Sequence, residues 1–267
     1  MDTTDFINNS IVNNNKCVKR LILLFKLKVT VFCDSMMLKY YITEVNMLNL
    51  FDKTKRYHKK YSDNKLLKKY GKVEYQNKHI KILCIADTHG YLKYDKMREK
   101  LEKHKDDDYD ICCLLGDILY DDMEIILKYI PKEKIIAVLG NHDDFNILKH
   151  FELKDINGKV VEINGIKIAG IHGAYRYKTK DFPSFTQVES VSFAEKIEKA
   201  DILISHSGPY YKNNANIIHN GLLGISYYLF KNKVPYNIHG HLHVSETKTL
   251  INGTKDICVF EVELIEL

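Results

Sequence analysis

The run Ile135-Ile136-Ala137-Val138-Leu139 stops at Gly140-Asn141-His142-Asp143. It is short, rich in β-branched residues and ended by Gly and Asn, so it reads as a buried strand. A strand closed by glycine and followed by an amide, an imidazole and a carboxylate puts polar groups at a sheet edge. In open α/β sheets, ligands bind at the carboxyl ends of strands. A plain turn with Asp143 as a helix N-cap would satisfy the same residues, so the rest of the chain decides.

The same pattern recurs. Ile80–Ala86 ends at Asp87-Thr88-His89-Gly90, and Tyr109–Leu115 at Gly116-Asp117. Asp201–Ile204 ends at Ser205-His206, and Tyr236–Ile238 at His239-Gly240-His241-Leu242-His243. Helical stretches fall between them at Tyr94–His104, Asp121–Ile130, Val188–Lys199 and Gly221–Phe230. The first carries the stripe Met97, Leu101, His104, and the second is stopped by Pro131. Asn164-Gly165 turns Lys159–Ile163 into Ile166–Ile171, and Asn252-Gly253 turns Glu246–Ile251 into Ile257–Leu264. The β-α-β-α-β opening of this series predicts an α/β domain with a largely parallel sheet core.

The 267 residues allow one or two domains. Charge separates the two ends of the chain. Residues 1–80 hold 16 Lys/Arg against 7 Asp/Glu, and residues 81–267 hold 24 against 28. We therefore divide the chain into a basic N-terminal extension, 1–78, and a body, 79–267. Residues 1–16 are Asn- and Thr-rich and read as disordered; residues 19–50 fit strand or helix. Met47 could be an alternative start. Residues 53–72 carry nine Lys/Arg against Asp63 alone, which reads as a solvated surface, with nucleic acid as the sharper alternative. The apolar stretch Leu21–Cys33 is broken by Lys26 and Lys28 and is too short for a bilayer, which takes ~20 apolar residues. No membrane association is expected. The six cysteines form no C-x-x-C pair, and Cys84, Cys112 and Cys113 sit in strand-like runs, so a reducing, cytoplasmic setting is expected.

The strand ends collect Asp87, His89, Asp117, Asn141, His142, His206, His241 and His243. This set is imidazole and carboxylate without thiolate, which suits borderline and hard divalent ions. Asp87-x-His89 and His241-x-His243 have a spacing useful for clasping metal from an extended chain, although they sit just past the strand ends. Gly116 and Gly140 would let the backbone approach the ions.

In order, these blocks read D-x-H, G-D, G-N-H-D, H and G-H-x-H, and in this the chain resembles the calcineurin-like metallophosphoesterases over residues 79–267. The resemblance implies a four-layer sandwich of two mixed β-sheets flanked by helices, preceded here by the N-terminal extension. It implies two divalent metal ions (Mn, Fe, Zn, Mg or Co). Asp87, His89 and His243 would hold one, Asn141, His206 and His241 the other, and Asp117 both. It implies phosphoester hydrolysis by a metal-bridging hydroxide, with His142 as general acid. Relatives that read G-D-x-x-D orient this histidine with the second Asp. Here Tyr120 holds that place, leaving Asp121 or Asp143 as candidates, or no orienting carboxylate. G-D-x-x-Y also matches the purple acid phosphatases, but His89 makes a tyrosine ligand unnecessary, so Tyr120 is expected to pack nearby.

The expected substrate is a small phosphomonoester or phosphodiester, nucleotides included. Arg176 could fork onto its phosphate, and Tyr210 could stack on a base or sugar. Two alternatives stand beside this reading: a nuclease of the same fold using the basic segment, and a non-catalytic scaffold that binds a protein partner. The second usually goes with missing ligands, and none is missing here.

Overall fold

The computed structural model describes residues 55–76, 78–177, 181–210 and 217–267. The expectations for residues 1–16 and 19–50, Leu21–Cys33 and Met47 lie outside the described residues.

Nearly every strand of the first half is apolar on both faces, and the architecture explains why. The first sheet has the order β13-β1-β2-β3-β4: β1 is Lys81–Ala86, β2 Ile111–Leu114, β3 Ile135–Ala137, β4 Lys154–Asp155 and β13 Glu261–Glu266. β1 to β4 run parallel, and β13 is antiparallel to β1. The second sheet has the order β11-β12-β10-β9-β6-β5: β5 is Val160–Ile163, β6 Ile166–Ile171, β9 Ile202–Ser205, β10 Tyr236–His239, β11 Glu246–Thr249 and β12 Lys255–Cys258. β6, β9, β10 and β12 are parallel, with antiparallel strands at both edges. A small parallel pair, β7 (Ala174–Tyr175) and β8 (Ser184–Phe185), stands apart.

Strand alternation sorts the core into three layers. Between the sheets, Ile82, Cys84 and Ala86 of β1 meet Ile168, Ile202, Ile204 and Ile238. On the outer face of the first sheet, Leu83 and Ile85 pack with Met97 and Leu101 of α2 (Asp95–Lys103) and with Met123 and Ile126 of α3 (Tyr120–Tyr129). On the outer face of the second, Ala169, Ile171 and Leu203 lie under α5 (Gln187–Ala194) and α6 (Leu223–Asn232). The result is helix, sheet, sheet, helix, the expected sandwich. The short α4 (Ile147–His150) follows the G-N-H-D block. Among the described residues, Cys84, Cys112, Cys113 and Cys258 are free and buried, and no helix is long and apolar enough to cross a membrane.

One expectation needs correction. The closing run Ile257–Leu264 is not one strand. β12 ends at Cys258, and the chain crosses to the other sheet as β13, turning at Glu261 with φ 67°. Contacts group Thr54–Leu267 as one compact unit. Residues 55–60 are helical, and α1 (Asp63–Tyr70) packs on α6. Tyr61 and Leu66 are buried there, beside Tyr227 and Tyr228. Lys59, Lys60, Lys65, Lys68 and Lys69 stay exposed, so the basic run is the wet face of a packed segment.

Candidate metal centre

Parallel strands deliver their carboxyl ends to one edge, and both sheets present that edge to the same place. β1 leads to Asp87, β2 to Asp117, β3 to Asn141, β9 to His206 and β10 to His241. Cross-sheet hydrogen bonds tie the edges together: His241 N–H donates to Asp87 Oδ2 at 2.7 Å, and His206 Nδ1–H donates to Leu115 O at 2.9 Å.

The side chains form two groups. In the first, Asp87, His89 and His243 bring ligand atoms within 4.8 Å of one another, and His89 Nε2 lies 3.2 Å from His243 Nε2. In the second, Asp117, His206 and His241 do the same, with His206 Nε2 3.1 Å from both His241 Nδ1 and Asn141 Oδ1. Asp117 Oδ2 lies between the groups, 3.6 Å from His89 Nε2 and 3.5 Å from His206 Nε2. All seven residues expected as ligands are thus brought together.

The chemistry of these atoms fits cations. His206 spends its Nδ1–H on Leu115 O, and His241 spends its Nε2–H on Ile218 O at 3.2 Å. Their remaining nitrogens face each other and the Asn141 oxygen as acceptors with no donor between them. Asp87 Oδ1 is buried and has no hydrogen-bond partner, a costly state unless a positive charge sits beside it.

Burial and the crowding of like groups set the electrostatics of the site. Burial pushes the Asp87 carboxyl above its ordinary value. Burial also pushes Asp117 up, but His206, the His142 N–H and the nearby imidazoles outweigh it and hold the carboxyl low. His206 is fully buried, which disfavours its cation, yet Asp117, Asp87 and Asp143 raise it above the usual imidazole value. Burial, then the neighbouring His206 charge, depresses His241 to about 3. It therefore offers a neutral lone pair at any ordinary pH.

The reason for the D-x-H and H-x-H spacing differs from the expected one. Asp87, His89, Asp117, His241 and His243 all have positive φ, between 47° and 73°. These residues lie in left-handed turns just past the strands, so they converge through backbone strain, not strand alternation. Gly116 and Gly140 also meet a packing demand of the backbone. A Cβ on Gly116 would lie 2.2 Å from Gly140 N, and one on Gly140 would lie 2.1 Å from Asp117 Oδ1. The G-D and G-N-H-D loops cross in backbone contact, and glycine is required for that crossing.

Asp143 caps no helix. It accepts from Asp117 N, Ile118 N and Gly140 N at 2.9, 2.7 and 2.7 Å, locking the two loops together. His142 is exposed; its N–H donates to Asp117 Oδ1 at 2.7 Å, and its ring stands edge-on to His89 at 5.3 Å. Among the described residues no side chain hydrogen-bonds the His142 ring, so neither Asp121 nor Asp143 orients it. Tyr120 packs on His150 and Phe151.

The two candidate substrate residues are engaged elsewhere. Arg176 bonds Ser184 and Glu189 at the start of α5, where a Thr186–Glu189 capping box needs that carboxylate. Tyr210 places its hydroxyl 2.9 Å from His58 Nδ1, tying the loop after His206 to the N-terminal helical segment. Sequence reasoning passed over Asp122. It is fully buried and accepts from Thr88 Oγ1, Gly90 N and Leu92 N at 2.5, 2.6 and 3.0 Å, holding the D-x-H loop. The available signal was a carboxylate four residues before Ile126 on the buried stripe of α3.

Residues 80–245 match the sequence model of the calcineurin-like phosphoesterases. The chain belongs to that family. No curated protein matches its sequence. Among solved structures, TT1561 of Thermus thermophilus is 14% identical with a TM-score of 0.51, over 71% of this chain and 99% of that one. A putative 5'-nucleotidase from Staphylococcus aureus is 14% identical with a TM-score of 0.48, over 71% and 51%. A dimetal phosphatase from Danio rerio is 13% identical with a TM-score of 0.45, over 68% and 87%. The match to TT1561 concerns the fold. The phosphoesterase family assignment rests on the sequence match.

Proposed function

We propose that this family member is a metal-dependent hydrolase of phosphomonoesters or small phosphodiesters, working with two divalent ions. The observation that carries this reading is the pair of acceptor clusters joined by Asp117. Asp87, His89 and His243 would hold one ion, Asn141, His206 and His241 the other, and Asp117 would serve both. The donor set suits Mn, Fe, Zn, Mg or Co. When bound, such ions supply a nucleophile from water near neutral pH and positive charge against the phosphate oxygens.

The chain's own residues supply orientation and a proton. Asp117 Oδ1 holds the His142 backbone at the rim of the first cluster while Oδ2 faces both clusters. The exposed His142 imidazole would give a proton to the leaving oxygen. The Leu115 carbonyl fixes which nitrogen of His206 is a donor and so aims the other.

The test is hydrolysis of nitrophenyl phosphate and bis-nitrophenyl phosphate by metal-stripped protein resupplied with Mn. Turnover should require the ion. His142→Ala should lower kcat by about 10²–10⁴ without changing metal content. The ratio of the two esters separates monoesterase from diesterase. Folded protein that holds two ions and cleaves neither ester with any of these metals would overturn the reading.

A further inference from the structure

A cavity of about 340 Å³ opens beside the first cluster, with Asp87, His89 and His243 as its inner wall. That volume is in the range of small-molecule sites. We infer that it receives the aromatic leaving group of the substrate, and that this group is a nucleoside.

This assignment rests on the phosphoesterase reading, because phosphorus at the cluster puts the leaving group in the adjoining space. The outer walls carry Tyr91, Tyr94 and Phe260. Tyr91 and Tyr94 are 54% and 56% exposed, so core packing does not account for them. Their ring centroids are 6.0 Å apart. Phe260, in the same lining, stacks on the His243 ring at 5.2 Å and 15°. Lys96 also lines the cavity, is exposed, and has no carboxylate partner among the described residues. Aromatic faces stack on a base whatever its sequence identity, and a cation meets the oxygens of a base or of a second phosphate. An aliphatic alcohol would leave the aromatic faces unused. Tyr210 and Arg176, the residues that sequence alone offers for the task, are committed to His58 and Glu189.

Two measurements test this. The first is NMR titration of the metal-free protein with adenosine and, separately, with glycerol; neither needs the metal centre. Adenosine should perturb the cavity and glycerol should not, and Tyr91→Ala combined with Tyr94→Ala should weaken adenosine binding about tenfold. Tyr94→Phe should retain it. The second is kcat/KM with Mn for adenosine monophosphate and glycerol phosphate. The double variant should lose about tenfold on the nucleotide, mostly in KM, and stay within about twofold on the aliphatic ester. Adenosine binding that is absent, or unchanged in the double variant, would overturn the assignment. Adenosine binding that depends on the tyrosines, in protein that hydrolyses no ester, would support the cavity and overturn the phosphoesterase reading instead.

Discussion

Asp122 and Asp143 hold the loops on which the candidate ligands stand, each with a buried carboxylate accepting three donors. Removing such an acceptor leaves buried N–H and O–H groups unpaired, at ~1–3 kcal/mol each. Asp122→Ala should therefore destabilise the protein by about 3 kcal/mol or more and weaken metal binding at Asp87 and His89. Urea unfolding and metal titration would read both, and a stability within about 0.5 kcal/mol of wild type would show that the D-x-H loop needs no such anchor. Asp143 makes a pH prediction. Burial, then Asp117, pushes its carboxyl up to about 7, above the unfolded value of ~3.9. The folded state keeps the proton longer, so this contribution is full below pH ~4 and is lost as pH rises through about 7. In chelator, Tm should fall over that interval from this source, and Asp143→Asn should flatten the fall. An equal slope in the variant would assign the effect to other groups.

At the scale of elements, α5 and α6 cross closely at Gly224. A Cβ there would lie 2.1 Å from Ser190 O and 2.3 Å from Ser190 C, both backbone atoms that cannot swing aside. The crossing is also hydrogen-bonded, Ser190 Oγ accepting from Gly224 N and Gln187 Oε1 from Leu223 N. Gly224→Ala gains helix propensity but must separate the helices, and overpacking costs ~1–3 kcal/mol. A net loss of stability by thermal melt is expected, and a gain would mean the helices can slide apart freely.

On the scale of the molecule, the basic N-terminal segment has two faces with separate consequences. Tyr61 and Leu66 are buried against α6, and a fully buried large apolar side chain is worth ~1.5–3 kcal/mol. Deleting residues 1–78 should therefore lower stability by about 3–6 kcal/mol, visible as a depressed Tm. An unchanged Tm would show that the segment adds nothing to the core. That deletion is consequently a poor probe of the nuclease alternative, because it damages the fold as well as the charge. Charge reversal at the exposed Lys59, Lys60, Lys65 and Lys68 leaves the packed face intact. If nucleic acid binds there, affinity and its salt slope should both drop in the variant, and an unchanged slope would retire the alternative.

Much of this was legible from the chain alone, for a local reason. Apolar runs stopped by Gly, Asp, His or Asn state where strands end, and parallel strands end together, so the eight chemically distinctive residues pointed to one edge before any contact was known. The apolar run Ile135 to Leu139 likewise announced a buried strand. What tertiary structure alone decided are relations between segments distant in sequence. The crossing of β13 to the first sheet depends on which β1 edge is open, and no window around Glu261 contains that fact. The left-handed turns at Asp87, Asp117 and His241 persist because contacts from other loops hold them. For Arg176 and Tyr210 the fold supplies Glu189 and His58 as partners. A side chain's role depends on its nearest partner in space, and here that partner is 13 residues away in one case and 152 in the other.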